Sequence, residues 1–401
     1  MEEKTPLKIL LVADGRSPIT RSWIAMLKPL GYRLSLVSSY PCASVDGVES
    51  LHILPLAFSR FGGSQAGSCN KPGQKAGFVS RIRPFAQKIR QWLGPWTLLQ
   101  QKQEFLRILS AEKPDLLHAL RIPFEGMLAS YVPAGLPLVI STWGNDFTLH
   151  APSSPRMNVL TRRVMQRADA LISDTQMDVQ RAREWGFDPS KPSLVVPGNG
   201  GLDLKGILAA AAGIQKTEPA SVINPRGLRS YTRSDTFFKA IPLVLDENPQ
   251  VQFRCTSMRG QPEAENWVHK LGIENNISLL PLLPQKELWM EFAKASVSVS
   301  VSTHDGTPNT LLEAMATGCF PICGDLPSIR EWLIPGENGL LVDSADPIAL
   351  AKAILQVLGS PQLQEKAARL NAHIVQERAD VEKVRLKVDD FYQKSFREVH
   401  P

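Results

Sequence analysis

Short apolar runs alternate with helical stretches along the whole chain, and that rhythm constrains the fold more than any other feature. KILLVA (8–13), a helix around 20–30, RLSLVSS (33–39) and LHILPL (51–56) open the series. After a Gly-, Pro- and Ser-containing loop at 62–73 come DLLHAL (115–120), PLVISTWG (137–144), a helix near 156–168, ALISDT (170–175) and SLVVPGNG (193–200). Continuous Val/Ile/Leu runs set between helices mark strands of a parallel sheet covered on both faces. Residues 203–220 read as a short helix and a linker, and the alternation restarts at SVINPRG. It continues through VQFRCTS (251–257), ISLLPL (277–282), SVSVSVS (296–302), a helix at 308–317, CFPICG and GLLVD, and ends in two helices. The 401 residues leave room for two such domains, at roughly 150 residues each. The fold class is therefore α/β with two Rossmann-like domains, about 1–205 and 218–380. Ligands of such sheets bind beyond the carboxyl ends of the strands, so two facing domains make an inter-domain cleft.

Other classes are excluded by the same sequence. No stretch approaches the roughly 18–20 consecutive apolar residues that a spanning helix needs. The opening MEEKTPLKILLVADG is acidic before a short apolar stretch, unlike a signal peptide, so a cytoplasmic protein is expected. The five cysteines, Cys42, Cys69, Cys255, Cys319 and Cys323, are scattered and lack a CxxC pair, which fits neither a disulfide framework nor a zinc site. The seven histidines show no HExxH or paired spacing, so no metal is expected.

Positive charge is concentrated in one segment. Between Lys71 and Arg107 stand eight basic residues, Arg81, Arg83, Lys88 and Arg90 among them, against one acid, Glu104. Val79, Ile82, Phe85, Ile89, Trp92 and Trp96 recur there at three- and four-residue steps, a helix-like stripe with Pro84 as a kink or start point. Two readings stand. The segment is an interfacial helix whose basic residues meet anionic headgroups at the inner face of a cell membrane while its tryptophans sit at the interface, or a core-packing helix with a solvated basic face. The sequence carries no nucleic-acid-binding module, so no nucleic-acid partner is expected.

One stretch points to chemistry. In SVSVSVSTHDGTPNTLLEAMATGCFPI (296–322) a buried-looking strand delivers the loop 304–307 directly into a helix. Thr307 fits the N-cap and Pro308 the first helical position. The amides of Asn309, Thr310 and Leu311 then lack intrahelical partners and, with the positive end of the helix dipole, make an anion site suited to a phosphate. Glu313 lies one turn below Asn309 on the same face. A carboxylate there accepts two hydrogen bonds from vicinal hydroxyls such as those of a ribose, or is an acid favoured near a helix start by the dipole. Asp305 is a candidate to hold sugar hydroxyls, or a loop acid.

DGTPNTLLEAMATG resembles the signature of retaining, nucleotide-sugar-dependent glycosyltransferases of GT-B fold, in which two acids separated by seven residues precede Ala-Met-Ala and Gly. WGND (143–146), ADALISDT (168–175), VVPGNGGLD (195–203) and SIREWLIPGENGLLVD (328–343) carry the resemblance from about 110 to 375, with a weaker likeness in 40–110. It implies an acceptor-binding domain at 1–205, rejoined by the C-terminal helix at about 382–401, and a nucleotide-sugar-binding domain at 218–380, with the active site in the cleft. It implies Glu313 on the nucleotide ribose and Asp305, standing where relatives have Glu, on hydroxyls of the transferred sugar. The donor diphosphate is implied at Gly306, Thr307, Pro308, Asn309 and Thr310. The family places a basic pair after the first strand of its second domain, and INPRGLRSYTRSDTFF offers Arg226, Arg229 and Arg233 there. Arginine forks onto phosphate oxygens and stabilises a departing diphosphate without metal. Gly200, in the turn 198–201, belongs by resemblance to a loop bordering the donor.

Relatives carry a His near the position of Trp143, and here it is absent. Trp143, Gly144 and Asp146 follow a strand on the cleft side, with Asp146 orienting or deprotonating an acceptor hydroxyl, or else capping a turn. The loop after the first strand lacks a GxGxxG fingerprint, and Arg16 and Ser17 are candidates for substrate contact. The expectation is a retaining, metal-independent transfer of a sugar from a nucleotide diphosphate sugar, a substrate and not a cofactor. The acceptor is a glycan or lipid-linked hydroxyl in cell-envelope polysaccharide or glycolipid synthesis. A non-hydrolysing sugar-nucleotide epimerase and a catalytically idle, membrane-docked binding protein are the alternatives.

Overall fold

A computed structural model describes residues 6–59 and 76–399, with the backbone alone for 76–91. The chain divides into two compact units, Met1–Gly201 with Val384–Pro401, and Leu202–Lys383.

In the first unit β1 (Lys8–Ala13), α1 (Pro18–Leu27), β2 (Arg33–Ser38), β3 (Ser50–Ile53), α2 (Ala76–Glu112) and β4 (Leu116–Ala119) come first. They are followed by α3 (Met127–Ala129), β5 (Leu138–Thr142), α4 (Pro155–Arg167), β6 (Ala170–Ser173), α5 (Gln176–Glu184) and β7 (Ser193–Val195). The seven strands are parallel, in the order β3-β2-β1-β4-β5-β6-β7. The central strands β4, β5 and β6 are buried at every position, the physical reason that they read as unbroken apolar runs. α2 begins at Ala76 and runs through Pro84, which neither starts nor ends it. Its Leu98, Phe105, Ile108 and Leu109 enter the core.

The second unit runs α6 (Leu204–Ala211), β8 (Ser221–Asn224), α7 (Ser234–Glu247), β9 (Gln252–Cys255), α8 (Pro262–Leu271), β10 (Ile277–Leu279) and α9 (Gln285–Lys294). Then come β11 (Val297–Ser300), α10 (Asn309–Ala316), β12 (Phe320–Gly324), α11 (Pro327–Arg330), β13 (Leu340–Val342), α12 (Pro347–Leu358) and α13 (Pro361–Arg378). Its six strands are parallel, in the order β10-β9-β8-β11-β12-β13. Both sheets thus reverse direction once, between β1 and β4 and between β8 and β11. At such a switch point the two outgoing loops diverge and leave a crevice at the strands' carboxyl ends.

The last helix, α14 (Val381–Val399), lies in the first unit from Val384 onward. Val384, Val388, Phe391, Tyr392 and Ser395 recur at helical spacing and are buried. Trp23 Nε1 donates to Tyr392 Oη at 3.1 Å, and Tyr392 Oη lies 2.7 Å from His118 Nδ1. Indole is a donor only, so the phenol accepts from Trp23, and His118 Nε2 lies 2.8 Å from Ser141 Oγ on its other side. Among the described residues no helix is long and apolar enough to cross a membrane.

Candidate active site

The second unit gathers its candidate residues around the switch point. β8 ends at Asn224, whose Oδ1 accepts from the Arg226 amide at 3.1 Å and turns the chain back. Gly227 follows with φ +64°, and a Cβ there would approach Ser257 Cβ to 3.2 Å, so glycine is the residue that fits. The turn sends the Arg226 guanidinium to the loop after β11. Its Nη2 donates to both Asp305 oxygens at 2.9 and 3.0 Å, and its Nη1 to Thr310 Oγ1 at 3.3 Å. The Thr303 amide donates to Tyr231 O at 2.8 Å, which ties the two loops together, and Ser328 Oγ of α11 donates to Asp305 O at 2.7 Å. Burial pushes the Asp305 carboxyl up against the pull of Arg226.

The helix start differs from the sequence expectation by one residue. α10 begins at Asn309 with Pro308 in the capping position and no side-chain cap. Thr307 Oγ1 instead accepts from Trp332 Nε1 at 3.0 Å. The Leu311 amide is also engaged, donating to Pro308 O at 3.0 Å. The amides of Asn309 and Thr310, in the first turn, have no intrahelical acceptor. They stand beside Arg226 through its bond to Thr310, so a helix start and a guanidinium converge on one place, an arrangement that receives anions. Gly306 lies half-buried in the same loop.

Glu313 is 3% exposed in the next turn of α10. Its Oε1 accepts from Trp289 Nε1 at 3.0 Å and from Gln285 Nε2 at 3.1 Å. Burial pushes its carboxyl up, and these two bonds oppose the shift. Gln285, Trp289 and Trp332 are not legible as site residues in the sequence.

The three candidate arginines separate. Arg226 is in the cluster; Arg229 is exposed, with its Nη1 on Tyr231 Oη at 2.9 Å, close enough to pull on Asp305 electrostatically. Arg233, with φ +46°, precedes α7 and is held by Asp235 at 2.9 Å. Among the described residues no three His, Cys, Asp or Glu side chains group as a metal site.

The first unit carries the other candidates at the carboxyl ends of β1, β5 and β7. Arg16 forks onto Asp14 at 3.1 Å and stacks over the Tyr40 ring at 3.7 Å, and Ser17 precedes α1. Trp143 lies 5.2 Å from the Arg121 guanidinium, with Gly144 beside it. Gly200 adopts φ +86° against Met26, a turn role. Of the two readings open for Asp146, the geometry matches the turn-capping one. Its side chain is fully buried, accepting from Arg121 Nε at 3.1 Å and from the Ile122 and Trp143 amides at 3.2 Å. Both oxygens are used within the fold, so this acid builds the loop. On α2, Trp92 and Trp96 are 58% and 50% exposed, and Arg156 stacks on Trp96 at 3.3 Å. The side chains of Arg81, Arg83, Lys88 and Arg90 lie outside the described residues, as does Lys71.

Comparison with known proteins gives this arrangement its context. Residues 15–198 match the glycosyl transferase 4-like domain, and residues 226–360 match glycosyl transferases group 1. A D-inositol 3-phosphate glycosyltransferase of Streptomyces scabiei is 26% identical over 217 residues, 50% of this chain and 48% of that protein. The chain spans about half the length of the curated relatives it matches. Sucrose-phosphate synthase from Thermosynechococcus elongatus has the same fold, with TM-score 0.72 at 16% identity over 98% of this chain and 100% of that one. Anabaena HepE, solved with UDP and glucose, gives 0.69 at 16% identity over 97% and 100%. Two doubly wound units, each matched by its own domain family, make this chain a member of the GT-B glycosyl transferases, with a 4-like domain followed by a group 1 domain.

Proposed function

We propose that this protein transfers a sugar from a nucleoside diphosphate sugar to a hydroxyl acceptor, with retention of configuration and without a metal ion. The observation that carries the reading is the convergence of Arg226, Asp305, the start of α10 and Glu313 in the second unit. Glu313 Oε2, which has no hydrogen-bond partner among the described residues, is suited to ribose hydroxyls. The Asn309 and Thr310 amides, with Arg226, are suited to the diphosphate. As the glycosidic bond breaks, negative charge grows on the departing phosphate oxygen, where fixed donors stabilise it more than they stabilise the ground state. Arg226 turning onto the diphosphate releases Asp305 to accept from sugar hydroxyls. The acceptor oxygen then attacks the anomeric carbon from the face that the diphosphate leaves, the bond to the diphosphate oxygen breaks, and the acceptor proton passes to that departing oxygen. That HepE was solved with UDP-glucose supports a nucleotide sugar as the donor class.

The first unit presents the acceptor in this reading, with Arg16, Ser17, Trp143 and Gly144 nearest to it and Asp146 holding their loop. The exposed tryptophans of α2 and the basic residues of its first half support docking on an anionic membrane at the cytoplasmic face, and with it a lipid-linked or envelope acceptor. The domain families favour neither an epimerase nor an idle fold.

The test is a thermal-shift screen of the purified protein against UDP, GDP, ADP and their sugar conjugates, with and without EDTA. A ligand of the folded state stabilises by RT ln(1 + [L]/Kd), so one selective, EDTA-insensitive shift is expected. The anomeric configuration of the product, read by NMR coupling constants, must match that of the donor. No shift from any nucleotide, or an inverted product, overturns the reading.

A further inference from the structure

We infer that Gln285 and Trp289, one turn apart on α9, are positioning residues that aim Glu313 by occupying one of its two carboxylate oxygens. The inference rests on the reading of Glu313 as the ribose-binding acid. Both donors converge on Oε1, at 3.1 and 3.0 Å, and leave Oε2. A carboxylate turning freely about its last bond offers either oxygen; one clamped by two donors offers a fixed one.

The two donors differ in their surroundings, and that difference separates aiming from support of the core. Trp289 is buried among Leu311, Leu312 and Met315 of α10, so its ring also packs. Gln285 is exposed at the first position of α9. An exposed amide that reaches inward to a buried acid contributes little to the core, so its effect must run through the acid. Both donors are neutral, whereas Asp305, one turn before the helix, is met by a guanidinium. Neutral donors keep the charge on the acid uncancelled for the incoming hydroxyls.

The charged groups on the elements packed against α10 are either paired with other groups or exposed. Lys205 of α6 pairs with Glu382, Glu291 of α9 with Arg254 and Lys294, and Lys366 of α13 with Glu337. Arg378 of α13 lies over the Trp332 ring, and Arg369 pairs with Glu365. Lys286 and Glu287 of α9 and His373 of α13 are exposed. Burial raises the Glu313 carboxyl and the two bonds from α9 oppose that shift.

The experiment is titration calorimetry of the full chain with UDP across pH 5–8.5, using Glu313→Gln, Gln285→Leu and Trp289→Phe. Glu313→Gln is expected to weaken binding by a factor of ten to a hundred, as befits a bond to a charged group of about 1.5–3 kcal/mol. Gln285→Leu and Trp289→Phe are each expected to weaken it about tenfold at neutral pH. They should also move the acid limb of binding to higher pH, because each lost donor had favoured the ionised form. Wild-type affinity and an unmoved acid limb in Gln285→Leu overturn the inference, and that variant keeps the test decisive should Trp289→Phe loosen the fold. Wild-type affinity in Glu313→Gln overturns the ribose-binding reading itself, a separate outcome.

Discussion

Breaking the Arg226–Asp305 pair from one side or the other should have unequal consequences. Both side chains are nearly buried, 13% and 14% exposed, and both carboxylate oxygens accept from the one nitrogen Nη2. Asp305→Leu strands a guanidinium that keeps its proton at any accessible pH, and an uncompensated buried charge costs about 3–5 kcal/mol. Arg226→Met strands a carboxyl, which escapes the same penalty by taking up a proton. Its pKa already lies above the ordinary value because burial outweighs the arginine's pull, and loss of Arg226 raises it further. A folded-state pKa above the unfolded value gives stability that is fully present below the unfolded pKa and lost as pH rises through the folded pKa. Arg226→Met should therefore be most stable at acid pH relative to wild type. It should lose ground with rising pH by up to about 1.4 kcal/mol per unit. The second unit has about 180 residues, for which 1 kcal/mol moves Tm by about 2–4 °C. Scanning calorimetry at pH 5 should then find Asp305→Leu lower by about 6–20 °C and Arg226→Met lower by well under that. Equal losses at pH 5, or a Tm difference for Arg226→Met that does not change between pH 5 and 8, would refute the reasoning.

Three further expectations concern the first unit. Asp146→Ala should destabilise by about 3–5 kcal/mol, because it strands Arg121 and two loop amides; a variant with normal urea stability but no turnover would return this acid to direct catalysis. Burial pushes His118 down to about 3, against about 6.5 unfolded, so between those values the unfolded chain binds more protons. Stability should thus fall as pH drops below about 6.5, and His118→Gln should show a shallower slope in urea midpoints between pH 4.5 and 7. An identical slope in the variant would remove the histidine from the linkage. Changing Arg81, Arg83, Lys88 and Arg90 together to Glu should abolish sedimentation with anionic vesicles, at about 1 kcal/mol of attraction per basic residue; unchanged sedimentation would leave α2 with a solvated basic face.

The fold was legible where burial acts on both faces of a strand. β4, β5 and β6 are covered on each side, and the alternation with helices then leaves a parallel doubly wound sheet as its natural outcome. Boundaries were less legible, because packing and pairing select the same residues. Leu54 and Leu56 are as buried as strand residues, yet β3 ends at Ile53. The motif around Asp305 and Glu313 was legible because it is local: a strand, a loop and a helix start within one continuous stretch.

What sequence reasoning missed is contact between distant segments. Arg226, Arg229 and Arg233 have equal claims as residue types, and it is Arg226 that meets Asp305, after the Asn224 turn and before Gly227 with its positive φ. Asp146 sits beside Trp143 and Gly144 in a stretch that reads as a polar loop, and its carboxylate is met by Arg121, 25 residues earlier in the chain. Trp289 and Gln285 look like ordinary residues of an amphipathic helix until the fold sets them against Glu313. The two acids of the motif make the same point in energetic terms. Asp305 is nearly buried and Glu313 fully so, but the first is balanced by a cation and the second is only hydrogen-bonded. In the proposed reading a bound diphosphate competes with Asp305 for Arg226 and has no such claim on the donors of Glu313. On that reading the first acid is the one whose state changes when an anion arrives, and the second is the one fixed beforehand.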